Sequence, residues 1–123
     1  MDMEQEIKAA GADRAPRVTP ADIEANIDDE CYFTAAEGAL GATMAQDPNM
    51  LPMIPPATRL LTICVLVLRN GFTVTGTSAC ASPENFDADI GRKVARADAV
   101  RQVWPLMGYA LKQRLHDVQH GPG

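Results

Sequence analysis

Most signatures of a defined chemistry are missing from this chain. Its 123 residues include two histidines and three cysteines, and Cys31, Cys64 and Cys80 form no C-x-x-C pair. An odd set of thiols in or beside apolar runs argues against a disulfide framework and is expected as free, buried cysteines of a reducing compartment. No Walker loop occurs, and Gly38-x-x-Gly41 is too short for a dinucleotide fingerprint. The nucleophile elbow also fails, because Ser78 follows Gly76 but position 80 is Cys where that motif needs Gly. The amino terminus, MDMEQEIK, lacks an apolar export core, and the longest apolar run, Ile63 to Leu68, is far too short to span a bilayer. A soluble protein with no membrane partner is expected.

Positive charge is also scarce. The net charge is -5, unevenly spread: residues 1–57 hold 11 acidic and 3 basic side chains, residues 58–123 hold 5 and 8. A nucleic acid polymer needs a Lys/Arg surplus over the whole contacting face, so the acidic total argues against a dedicated DNA or RNA binder, and no nucleic acid polymer is expected as a partner. A small anion needs only a local basic pocket and a few N–H groups.

What is present reads as one α+β domain over 18–118, preceded by a flexible arm or weak helix at 1–17 and followed by a tail at 119–123. Thr19-Pro20-Ala21-Asp22 is a helix start with Thr19 as N-cap and Pro20 in the first position. Ile23, Ile27 and Cys31 then recur at four-residue spacing, which predicts a short helix to about Cys31. Residues 34–58, with two glycines, four prolines and Met44, Met50 and Met53, read as an irregular Pro/Met-rich loop covering a core edge or a partner subunit.

The clearest local signal is a β-hairpin at about 59–81, LLTICVLVLRNGFTVTGTSAC around Asn70-Gly71. With Asn70 and Gly71 as the two turn residues, Arg69 faces Phe72, and Leu68, Leu66 and Cys64 share a face with Thr73, Thr75 and Thr77. No third strand is legible, and a lone hairpin is marginal in water. Its edges and its doubly apolar first strand call for cover, most economically from a homo-oligomer. Ser82-Pro83-Glu84 predicts a second helix start. Phe86, Ile90, Val94, Ala97, Val100 and Trp104 form its expected buried stripe, and Met107, Leu111, Leu115 and Val118 continue beyond Trp104-Pro105, a kink or boundary. The fold expected is thus a hairpin packed with a short N-terminal helix and a long kinked C-terminal helical segment.

Two groupings could bind a ligand. Thr73, Thr75, Thr77 and Ser78 lead into a helix start at Ser82 and Asn85, with Arg92, Lys93 and Arg96 one to three turns on; together they suit a small anion. Trp104, with Tyr32, Phe33 and Tyr109, could stack on a base, though aromatics at helical spacing more often serve a core. His116 and His120 have zinc-ligand spacing, but no third ligand stands with them, so no metal is expected. Glu84 and Asp87 read as carboxylates complementing a helix dipole. No catalytic residue and no cofactor is expected, and a small hydrolase ranks last.

The segment RNGFTVTGTSACASPENFDADIGRKVARADAVRQVWPLMGYALKQRL resembles the small accessory proteins of tailed phages and prophages of the gene forty-nine/gene sixty-six family, and the likeness runs from about Arg17 to Leu115. The runs NGFTVTG, SPENFD-x-x-IGRK-x-A and WPLMGYALKQRL carry it. The chain departs at Thr77 and Met107, where that family usually has Glu, and in a longer Pro/Met-rich insertion. The resemblance implies a phage or prophage origin and action in the cytoplasm of the infected or lysogenic host. It supplies no catalytic residue. Host interaction or counter-defence by a non-enzymatic homo-oligomer is therefore the expectation, with a sequestered nucleotide-like anion as its sharper form and a host protein as the alternative target.

Overall fold

The computed structural model describes residues 2–12 and 14–121, so the last two positions of the expected tail lie outside the described residues. The fold is α+β: helices α1 (Met3–Ala9), α2 (Pro20–Asn26), α3 (Ala35–Gln46) and α4 (Ala88–His120), strands β1 (Ile27–Thr34), β2 (Leu61–Leu68) and β3 (Thr73–Ala79), and short 3-10 turns at Pro56–Leu60 and Pro83–Asn85. It divides into two compact units, one running from Ile27 to Gln102, the other joining the segment up to Asn26 to the segment from Val103.

In the latter unit, Asp2 and Gln5 close a capping box at the start of α1, so the expected arm holds a seven-residue helix. Arg17 grips both carboxylate oxygens of Glu4, at 3.0 and 2.6 Å, and that pairing holds the Glu4 carboxyl below its ordinary pKa. Thr19 and Asp22 exchange hydrogen bonds of 3.1 and 2.9 Å, which makes the predicted cap of α2 real. Ile23 and Val103 are fully buried. Met107, Leu111 and Leu115 are half-buried, whereas Val118 of the expected stripe is exposed. Of the kink or boundary expected at Trp104-Pro105, the boundary does not occur: the helix runs through Pro105.

The larger unit is built on a three-stranded antiparallel sheet in the order β1-β2-β3. The first correction is β1 itself: the helix predicted to Cys31 stops at Asn26, and Ile27–Thr34 is a strand. β-Branched and aromatic residues (Ile27, Tyr32, Phe33, Thr34) and a long apolar partner in β2 outweigh the four-residue spacing that had suggested a helix. A bulge lies between Ile27 and Asp29. The second correction is α3 inside the expected loop. Thr34 and Glu37 form a capping box, at 2.8 and 3.1 Å, and five alanines follow before the first of the prolines. Gly38 and Gly41 are tolerated there, with Gly38 set against the Phe33 ring.

The third correction is one residue of register in the hairpin. Leu68, not Arg69, faces Phe72, and Val67 lies opposite Thr73. The loop has three residues: the Gly71 N–H reaches the Leu68 carbonyl at 2.9 Å, Asn70 Oδ1 accepts the Phe72 N–H at 2.9 Å, and Gly71 takes a left-handed φ of 87°. A single step of register exchanges faces. Thr62, Cys64, Leu66 and Leu68 therefore share the buried face with Val74 and Gly76, while Leu61, Ile63, Val65 and Val67 share the other with Thr73, Thr75 and Thr77.

Helix α4 covers the buried face through its smallest residues. Gly91, Ala95 and Ala99 are buried, and a Cβ on Gly76 would run into the Ala95 carbonyl oxygen and the Ala99 amide nitrogen. So close an approach leaves no room for large side chains. The predicted stripe is accordingly displaced by one position, and its Ile90 and Val94 are 60% and 47% exposed. The helix also closes the outer edge of β3: Asp98 accepts the Thr77 N–H at 2.9 Å and Gln102 donates to the Thr75 carbonyl at 2.5 Å. On β1, the N–H groups of Glu30 and Thr34 are taken by Asp29 and Glu37. Side chains within the chain, three carboxylates and one amide, thus occupy part of both strand edges.

Candidate functional site

Helix α4 begins at Ala88, later than the predicted Ser82. The Asp87 carboxylate caps it, accepting the Ile90 N–H at 3.0 Å. Ser82 opens only the 3-10 turn, makes no side-chain cap, and its carbonyl accepts from the Cys80 thiol and the Asn85 N–H. A helix start already holding a carboxylate offers little to an anion.

Cations further along α4 do gather. Arg92, Lys93 and Arg96, with Asp89, line one side of an open cleft of about 410 Å³ whose opposite side is Tyr32 of β1. Arg92 pairs with Asp89 one turn earlier, and Arg96 Nε reaches Glu30 Oε2 at 2.6 Å from the neighbouring strand. The same Glu30 oxygen accepts the Tyr32 hydroxyl at 3.2 Å. Desolvation, reinforced by Cys64 and Glu30 beside it, pushes the Tyr32 phenol up to about 12, so it stays a donor at neutral pH. Burial likewise pushes the Cys64 thiol up, against the opposing hydrogen bond with Tyr32. That thiol is a structural group; Cys31 is exposed and Cys80 half-buried, so only Cys64 meets the expectation of a buried cysteine.

A second cleft, of about 350 Å³, shares Tyr32 and Arg92 with the first and adds Phe33, Phe86, Glu37 and Thr62. Thr62 Oγ1 is buried with no hydrogen-bond partner and presses toward Gly91.

Of the ten residues proposed from the sequence, the structure brings together Arg92, Lys93 and Arg96. Thr73, Thr75 and Thr77 lie exposed on the sheet face away from α4, because the register shift turned them there. Ser78 is half-buried opposite Thr62. Ser82 and Asn85 sit at the 3-10 turn, and Trp104 is half-buried and lines neither cleft. Sequence reasoning missed Glu30 and Asp89 and did not place Tyr32, since the strand that carries Glu30 and Tyr32 read as the end of a helix. His116 and His120 stack with ring centroids 4.8 Å apart, and among the described residues no group of three ligands could hold a metal ion.

The model of the Phage protein (N4 Gp49/phage Sf6 gene 66) family matches residues 18–115. The chain belongs to that family. The match spans α2, the whole sheet and α4 as far as Leu115, so every residue of the two clefts lies within the matched residues. No curated protein and no solved structure matches the chain. This family member is a phage protein, and among its described residues no helix is long and apolar enough to cross a membrane.

Proposed function

We propose that this phage protein is a non-enzymatic accessory factor that holds a small nucleotide-like anion, an immune signal of the host, in the cleft of Tyr32, Arg92, Lys93 and Arg96, with a second copy of the chain closing it. The observation that carries the reading is three cations, Arg92, Lys93 and Arg96, gathered within five residues of α4 beside one aromatic ring in a cleft of about 410 Å³, within the range of small-molecule sites. Guanidinium groups suit phosphoryl oxygens, and a phenol ring suits a base or a sugar face. The cleft is wide-mouthed, and an anion held there stays wet unless something covers it. A second copy meets that need; the half-exposed row of Leu61, Ile63, Val65 and Val67, on the sheet face away from the cleft, is a separate surface a copy can cover. Nothing among the described residues pairs a nucleophile with a positioned base, which supports holding a ligand over cleaving it.

Thermal-shift and calorimetric screening against cyclic and linear nucleotides tests the reading. Stabilisation by at least one, lost in Arg92→Gln, is expected. No stabilisation by any of them shifts the assignment to a protein-directed inhibitor or adaptor of a host protein. One feature favours that second reading: Leu51 and Met53 are 94% and 99% exposed, and they belong to the acidic half of the sequence, residues 1–57. They cover no core edge in the chain itself. Substituting both by Ser then abolishes capture of the host protein and leaves nucleotide binding absent throughout.

A further inference from the structure

The two arginines of the cleft are neutralised in different ways. Asp89 reaches Arg92 from the same helix, three residues away, and moves with it. Glu30 reaches Arg96 from strand β1, 66 residues away, and its Oε2 accepts from both Arg96 Nε and the Tyr32 hydroxyl. The pair is partly exposed, 29% for the Arg96 side chain and 39% for Glu30. Ion pairs in that setting hold weakly. A phosphoryl oxygen presents the same acceptor, to the same two donors, that the Glu30 carboxylate presents.

We propose that Glu30 is a displaceable counter-anion of the cleft: its carboxylate occupies the Arg96 guanidinium and the Tyr32 hydroxyl, and a bound phosphate-like oxyanion replaces it there. The inference rests on the anion-holding reading above and adds its regulation. Glu30 sets a threshold, so that a lone weak anion gains little while a ligand that also engages Arg92 and Lys93 overcomes it. Its release also frees β1 from α4 at this point, giving ligand binding a structural consequence that Asp89 cannot supply.

Inorganic pyrophosphate, titrated calorimetrically into wild type, Glu30→Gln and Asp28→Asn, tests this. Asp28 is an exposed acidic residue at the β1 bulge, so its substitution matches the change in net charge without touching Arg96. The expected result is two- to fivefold tighter binding in Glu30→Gln, about what loss of a competing exposed pair is worth, with little change in Asp28→Asn. Binding by Glu30→Gln alone supports the proposal equally. Equal tightening in both variants, or unchanged or weaker binding in Glu30→Gln, overturns the proposal and leaves the anion site standing. No binding by any of the three chains overturns the site and the counter-anion together.

Discussion

The two faces of the sheet are made from the same strand yet end in opposite states. On one, Thr62, Cys64, Leu66 and Leu68 of β2 are buried beneath α4. On the other, Leu61, Ile63, Val65 and Val67, all aliphatic, are only half-buried, flanked by exposed Thr73, Thr75 and Thr77. Hydropathy does not separate them; the neighbours do. Gly76 in β3, with Gly91, Ala95 and Ala99 in α4, makes a flat contact where backbone meets backbone, and that contact commits the helix to one side. The open side is left with part of its cover from the region of α3, where Gly38 meets Phe33. A face closed by the chain serves stability; a face left half-closed is available to a partner.

The largest way to break this contrast is Gly76→Val. Its side chain has no space against the Ala95 carbonyl and the Ala99 amide, so α4 must lift from the sheet, at a cost of about 3 kcal/mol or more in denaturant unfolding. A loss under about 1 kcal/mol contradicts the close approach. Thr62→Val, on the same face, is expected to act in the opposite direction. It removes a buried hydroxyl with no partner and keeps the shape, for a gain of about 1 kcal/mol. A smaller substitution on the open face, Val65→Thr, should cost no more than about 1 kcal/mol, read from the same unfolding curves.

Acid tests the helix-to-edge contact specifically. The Thr77 N–H first, and Arg101 second, hold the Asp98 carboxyl below its ordinary value. A lowered carboxyl contributes stability that is present above the unfolded pKa of about 4 and is lost as pH falls through the folded value. The unfolding midpoint should therefore drop on acidification below about pH 4. Asp98→Asn should flatten part of that drop, and an unchanged acid limb in the variant would contradict the assignment.

How much of this was legible in the sequence divides along the same line. The hairpin and the long helix were readable because Asn70-Gly71 and the apolar run act locally. The cap at Thr19 was readable for the same reason. The face assignment was not, since a three-residue loop and a two-residue loop share the same Asn-Gly letters and differ by one step of register. The buried stripe of α4 was misplaced because periodicity favours large apolar residues, whereas here Gly76 selects for small ones. Strand β1 was hidden by Ile23, Ile27 and Cys31 falling at helical spacing, and with it went Glu30 and the placement of Tyr32. The cationic half of the cleft, Arg92, Lys93 and Arg96, needed only its helix and was found; the strand half needed the tertiary fold.

The half-closed sheet face is proposed to meet another copy of the chain. Sedimentation equilibrium of the wild-type protein over the micromolar range decides this. The expected mass is a multiple of the 13.2 kDa chain, falling to a single chain in Val65→Lys; a wild-type protein that stays at one chain mass throughout overturns the contact between copies.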